Sequence, residues 1–171
     1  GKIGSKVCET AKAFGMNVIA VPHHITKAQD NGISFSTFED AAPKADIISL
    51  HAPLTPETNG LINKNVISTL KNGVLIVNAA RGPMVVEQDI ADALNSRNLG
   101  GYATDVVSTE PMKENNPLLG APRAIITPHI AWAPKETRER LIVAAAVVLC
   151  ACNKANTGGS GTQMELQHDG V

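Results

Sequence analysis

Val74-Leu-Ile-Val-Asn-Ala-Ala-Arg-Gly-Pro83 is an apolar run that ends on an arginine. Residues 74 to 79 carry no charge and are rich in branched side chains, the pattern of a strand buried on both faces of a parallel sheet. The same kind of run recurs on either side of it. Strands are predicted at 16 to 21, which Pro22 stops, and at 46 to 51, with Pro53 and Pro56 opening the loop after it. Two more are predicted at 102 to 107 and at 124 to 127. Helical spacing fills the intervals. Val7, Ala11 and Phe14 make an apolar stripe over 4 to 15, ended by a glycine. A short helix is predicted at 38 to 45, weakened at its end by Pro43, and a stub at 66 to 71, ended by Gly73. Ile90, Ala93 and Leu94 share one face of a helix over 86 to 99, and a last, long helix starts at Glu136. Strand and helix in alternation predict an α/β fold, a doubly wound parallel sheet covered on both faces. Ligands of such sheets bind at the carboxyl ends of the strands.

Composition fits one soluble domain. The chain has 171 residues, enough to bury a sizeable core. A formal net charge of −1 argues against nucleic acid or an anionic membrane as a partner. Aromatic residues are only 3%, so Val, Ile, Leu and Ala must build the core. Cys8, Cys150 and Cys152 form no disulfide framework, which favours a reducing cytoplasm. Residues 141 to 152 are twelve in a row without a polar side chain, too short to span a bilayer. Exposed, they predict poor solubility or pairing with a partner. From Asn153 the chain reads as a flexible tail. Cys150 and Cys152 with His168 lack a second ligand pair, so no metal is expected.

Three charged or titratable residues follow three of the predicted strands. Arg81 follows 74 to 79, Glu110 lies in Asp105-Val-Val-Ser-Thr-Glu-Pro111, and His129 in Thr127-Pro-His-Ile-Ala-Trp132. Parallel strands would deliver all three to one edge of the sheet. Arginine grips a carboxylate through a planar fork. Histidine gives or takes a proton near neutral pH. A carboxylate beside it fixes the ring and favours its protonated form. Together they suit the reduction of a 2-keto acid.

These stretches resemble the D-isomer-specific 2-hydroxyacid dehydrogenases, from Gly1 to about Arg140. Ser49-Leu-His-Ala-Pro-Leu-Thr-Pro-Glu-Thr58 and Asn116-Pro-Leu-Leu119 belong to the same pattern. Thr127-Pro-His-Ile-Ala-Trp-Ala133, followed by Glu136 and Arg138, is similar to the glycerate dehydrogenase/hydroxypyruvate reductase branch. The resemblance implies a Rossmann-like fold and reduction of hydroxypyruvate or glyoxylate to D-glycerate or glycolate. Arg81 would hold the substrate carboxylate and polarise the carbonyl. His129 would donate the proton while hydride arrives from NAD(H), and Glu110 would hydrogen-bond His129. Asp105 would meet the nicotinamide carboxamide. Homodimers are usual in the family.

The same likeness assigns the cofactor's bed. Gly1-Lys-Ile-Gly4 looks like the second half of Gly-x-Gly-x-x-Gly, with Lys2 and Ile3 offering backbone N–H groups to the pyrophosphate. The strand that should precede this loop is missing from the sequence. A gap in the sheet is therefore expected, in a dinucleotide-binding domain at 1 to 152 that is part of a longer enzyme and lacks the substrate domain. Catalysis by such a piece alone should be weak or absent, because its site would face open water. His51, Ala52, Pro53 and Thr58 would line the adenosine side. Ala79, Ala80 and Arg81 would pass under the nicotinamide ribose, and His129, Ala131 and Trp132 would close that end. Pro22 stands where the family has an acidic residue for the ribose hydroxyls, and it offers no side-chain acceptor. His23 and His24 either simply follow a turn or, with Lys27, favour the 2′-phosphate of NADP, so NAD is the expected cofactor and NADP stays open. Val86 leaves the helix after it without a capping side chain. Two readings compete with the enzyme: a nucleotide-sensing interaction module of the corepressor type, and an inactive remnant.

Overall fold

The computed structural model describes residues 1–24 and 28–140. The chain divides into two compact units, Gly1–Ala131 and Trp132–Val171. The first unit carries the fold. Helix α1 spans Lys2–Ala13, followed by the short strands β1 (Ile19–Ala20), β2 (Gln29–Asp30) and β3 (Ile33–Phe35). Helix α2 (Phe38–Ala41) runs into a 3₁₀ turn at Ala42–Lys44, the tightened end that Pro43 imposes. The Thr37 side chain caps α2 by accepting from the N–H of Asp40 at 3.2 Å. Then come β4 (Ile47–Leu50), α3 (Lys64–Ile67), β5 (Val74–Asn78), a 3₁₀ turn at Gly82–Met84, α4 (Glu87–Asn95), β6 (Leu99–Thr104) and β7 (Ala124–Ile126).

The strands form two sheets. One runs β4-β5-β6-β7, every pair parallel. The other runs β1-β3-β2, with β1 and β3 parallel and β2 antiparallel. Among the described residues β1 and β4 do not pair, so the expected break in the sheet lies between them. Helix α4 covers one side of the larger sheet, setting Ile90, Ala93 and Leu94 against Val74, Ile76, Leu99 and Tyr102. Ile62, Met84 and Leu118 seal the edges of that core. Val86 at the N-cap of α4 makes no side-chain cap bond, as its apolar side chain requires.

Several expectations need correction. β5 is buried on one face only: Val74 and Ile76 are 1% exposed, whereas Leu75 and Val77 are 44% and 36% exposed. Pairing aligns Ile47 with Leu75, and Val77 with Ala103 and Ile125, so Ile47, Leu75, Val77 and Ile125 share that open side. Nothing described covers it, so an apolar run here does not mean two covered faces. Helix α1 buries none of its residues, and its stripe residues Val7 and Phe14 stay exposed. β2 and β3 escape a sequence reading because each is too short to show a period. β6 starts at Leu99 rather than Tyr102. Gly100 is the extra residue where the β5–β6 register shifts, and a Cβ there would overlap the carbonyl of Gly73. Two glycines hid that start, because glycine is depleted in strands. Of the helix expected from Glu136, residues 135–140 are helical. Lys27, the apolar run 141 to 152 with Cys150 and Cys152, the tail from Asn153 and His168 lie outside the described residues.

Candidate active site

Asn78, Thr104 and Ile126 are aligned across β5, β6 and β7 near the carboxyl edge of the sheet. Each strand then releases a functional segment: Ala79–Pro83 after β5, Asp105–Pro111 after β6, and Thr127–Ala131 after β7. Parallel pairing thereby brings the three predicted stretches to one edge.

His129 and Glu110 meet there. Nδ1 of His129 lies 2.7 Å from Oε2 of Glu110, and both side chains are about half in solvent, 45% and 39% exposed. The hydrogen bond with His129 is the largest of the influences that hold the Glu110 carboxyl below the usual carboxylate range. An ionised Glu110 only accepts, so Nδ1 carries the hydrogen and donates. That fixes the tautomer and leaves Nε2 for a substrate. The N–H of Val107 donates to the other carboxylate oxygen at 3.3 Å.

His129 adopts a left-handed backbone, φ 54°. A side chain with a Cβ disfavours that region by about 1–2 kcal/mol. Asp105 supplies the compensation. Its carboxylate accepts from the N–H groups of Ile130 (2.9 Å) and Ala131 (2.8 Å) and from the hydroxyl of Thr127. The loop is thus wrapped around one carboxylate. Burial alone would push the Asp105 carboxyl up, but those hydrogen bonds and the charge of His129 together hold it below its ordinary value. Asp105 is 8% exposed, and both its oxygens are engaged inside the protein. In the structure Asp105 anchors the loop that carries His129.

Arg81 is exposed and donates to the carbonyl of Ala80 at 2.7 Å. Among the described residues no bond links it to Glu110 or His129. Its turn is nonetheless fixed to their loop. A Cβ on Gly82 would overlap the backbone of Val107 and Ser108, so the arginine turn lies directly against the segment that carries Glu110. Fully buried Asn78 holds the turn from inside. Its amide donates to the carbonyl of Arg81 (3.0 Å) and its oxygen accepts from the N–H of Ala80 (3.1 Å). Glu87, at the start of α4, accepts from the N–H and hydroxyl of Ser108 (2.7 Å each) and the amide of Asn116 (2.9 Å). Asn78 and Glu87 escaped the sequence reading. An Asn at the end of an apolar strand was the available sign, because a buried amide must find partners.

The expected phosphate end has a suitable shape. The first turn of α1 leaves N–H groups without intrahelical partners, and Gly1 offers no side-chain cap. A Cβ on Gly4 would sit 3.3 Å from Cβ of His51, so glycine there lets the helix approach the end of β4. A pyrophosphate fits such a cradle. Nε2 of His51 bonds to the hydroxyl of Ser49 at 2.9 Å, and burial lowers the ring's affinity for a proton. The Thr58 hydroxyl donates to the carbonyl of Pro53 (2.8 Å) and accepts from the N–H of Thr55 (2.7 Å), closing the loop after β4. Trp132 belongs to the second unit. No cluster of three metal-binding side chains occurs among the described residues.

Comparison with known proteins agrees with this geometry. Residues 1–131 match the model of the D-isomer specific 2-hydroxyacid dehydrogenase, NAD binding domain. A hydroxypyruvate reductase of Blautia hydrogenotrophica is 48% identical over 143 residues, covering 83% of this chain and 44% of the relative. Two solved structures are also similar. The NAD-dependent formate dehydrogenase of Staphylococcus aureus, in complex with NAD, superposes with a TM-score of 0.80 at 32% identity, over 87% of this chain and 45% of that one. A glyoxylate reductase of Paecilomyes thermophila gives 0.76 at 33% identity, over 84% and 44%. The chain spans less than half the length of these proteins.

Proposed function

Because the chain belongs to the D-isomer-specific 2-hydroxyacid dehydrogenases, as their NAD-binding domain, we propose that it works in the reversible reduction of a 2-keto acid to a D-2-hydroxy acid. The substrate is hydroxypyruvate or glyoxylate, a reading supported by the reductase relatives and by the His129-Ile-Ala-Trp132 run. The 2.7 Å pair of His129 and Glu110 carries the proposal. Nucleotide when bound supplies or accepts the hydride.

The chain's own residues do the rest. The first turn of α1 binds the pyrophosphate, with Gly1, Lys2, Ile3 and Gly4 presenting backbone. Pro53 and Thr58 shape the adenosine side, and Ala79, Ala80 and Ala131 border the nicotinamide end. Arg81 swings from the Ala80 carbonyl to take the substrate carboxylate as a bidentate pair. Nε2 of His129 gives its proton to the oxygen that becomes the hydroxyl. Glu110 steadies the resulting charge changes on the ring, and takes no proton itself while its carboxyl stays below the usual range. The relatives give no support to the interaction-module reading. We further propose a homodimer in the cytoplasm. The apolar side of the sheet that the described residues leave uncovered, with Leu75 and Val77, favours burial against another surface. No helix among the described residues is long and apolar enough to cross a membrane.

The test is oxidation of NADH and NADPH with hydroxypyruvate, by the protein and by its His129→Ala variant. We expect turnover that the substitution lowers by about 10²–10⁴-fold with nucleotide binding retained. Equal turnover in the variant would remove His129 from the mechanism.

A further inference from the structure

Asn78, Thr104 and Ile126 form the last row in which β5, β6 and β7 pair. Beyond that row the ladder stops, and the three loops need other ties to stay together. Thr104, on the middle strand of the row and 4% exposed, touches all three segments. Its hydroxyl donates toward the carbonyl of Asn78 at 3.1 Å, just ahead of the turn that carries Arg81. The same oxygen accepts from the N–H of Val106 at 3.2 Å, and the carbonyl of Val106 is within its reach as well. The backbone carbonyl of Thr104 accepts from the N–H of Thr127 at 2.9 Å, at the start of the loop that carries His129.

These bonds differ in what they ask of the side chain at this position. The bond to Thr127, and the one from the N–H of Asp105 to the carbonyl of Asn78 (3.0 Å), are made by backbone alone. The others require a hydroxyl, which brings one hydrogen and two lone pairs. Its hydrogen is shared between the carbonyls of Asn78 and Val106, and its lone pairs serve the Val106 N–H. Val106 is itself 4% exposed, and among the described residues its N–H has no other acceptor. Without the hydroxyl that N–H would be buried unpaired, a cost the loop relieves by shifting toward water. Val107 comes next and donates to Glu110, so such a shift reaches the 2.7 Å pair of Glu110 and His129.

We propose that Thr104 is a positioning residue for this site: its buried hydroxyl ties the exit of β6 to the end of β5, and so sets the Arg81 turn and the Glu110–His129 pair at the spacing that the reaction requires. It acts through those residues and touches no substrate itself. The proposal rests on the dehydrogenase reading for the identity of the reaction. The tie between the loops rests on the hydrogen bonds themselves.

Thr104→Val deletes the hydroxyl and keeps the shape, whereas Thr104→Ser keeps the hydroxyl and loses a methyl. Two properties are measured on each folded protein: reduction of hydroxypyruvate by NADH, and titration of the Glu110 carboxyl by carbon NMR, with its resonance assigned by its loss in Glu110→Gln. Valine should lower kcat/KM by about tenfold, the worth of one hydrogen bond, with NADH affinity held within about twofold. It should also move the Glu110 carboxyl up toward the ordinary carboxylate range, because the bond to His129 that holds it low is lengthened. Serine should restore both properties. Packing alone predicts the opposite order, since valine fills the space and serine does not. A Glu110 titration unchanged in Thr104→Val, or serine no better than valine, overturns the proposal. If the valine variant does not fold, Thr104→Ser against Thr104→Ala isolates the same hydroxyl, and equal behaviour of those two overturns it. Absence of turnover in the unaltered protein overturns the dehydrogenase reading, while the Glu110 titration still decides the tie.

Discussion

His129 sits in a backbone region that its side chain disfavours, and Asp105 keeps it there. The two residues divide the work between them. In the proposed reaction the histidine would perform the proton transfer, while the aspartate holds its loop by accepting from Thr127, Ile130 and Ala131. Asp105→Asn keeps the shape but turns one acceptor oxygen into an NH₂ donor facing donors. We expect a loss of about 1.5–3 kcal/mol in stability, the usual worth of hydrogen bonds to a charged group. We also expect turnover to fall while NADH binding persists, read by thermal unfolding and steady-state kinetics. Full activity in Asp105→Asn would separate the loop's anchor from catalysis. Arg81 and His129 were legible as residue types following apolar runs. The anchoring role of Asp105 was not, because it depends on backbone N–H groups some 25 residues away in the chain.

Close contacts between elements hold the chemistry in register. The 3₁₀ turn at Gly82–Met84 packs its first residue onto Val107 and Ser108, with no room for a Cβ. Gly82→Ala must push the arginine turn away from the Glu110 loop. The backbone cannot yield as a side-chain tip would, so a cost of about 1–3 kcal/mol is expected. Urea unfolding measures that cost. The Michaelis constant for hydroxypyruvate should rise with it, since Arg81 moves. Helix α4 makes the second tie through Glu87, whose carboxylate gathers Ser108 and Asn116. That helix was legible from Ile90, Ala93 and Leu94, all buried as their spacing predicted. The role of Glu87 left no sign in the sequence, because its partners arrive from the loop after β6.

Over the whole molecule, acid should act through the same carboxylates. Asp105 and Glu110 are both held below their ordinary values, 3.8 and 4.5. A carboxyl depressed in the folded state stabilises the protein above its unfolded value. That contribution disappears as pH falls through the folded value. Stability should therefore decline below about pH 4, mostly through buried Asp105, since half-exposed Glu110 is screened by water. Thermal unfolding between about pH 3 and pH 6 tests this, and Asp105→Asn should flatten the curve. A melting temperature that does not change over that range would sink the account. The apolar side of the larger sheet, with Ile47, Leu75, Val77 and Ile125, is a second property of the whole molecule. An apolar strand sequence states that side chains can be buried and is silent on which neighbour buries them.

The order of residues along the chain was enough to set the α/β alternation, the positions of β4, β5, β7 and α4 to within a few residues, and the three segments that bear the chemistry. These depend on local periodicity and on residue type, which are properties of neighbours in the chain. Folding in three dimensions was needed to show that Glu110 reaches His129 at 2.7 Å, that Asp105 and Glu87 serve as anchors, and that the described residues leave one side of the sheet uncovered. Those facts arise where strands paired in parallel bring distant loops to one edge. A hydrogen bond between residues far apart in sequence leaves no periodic mark along the chain.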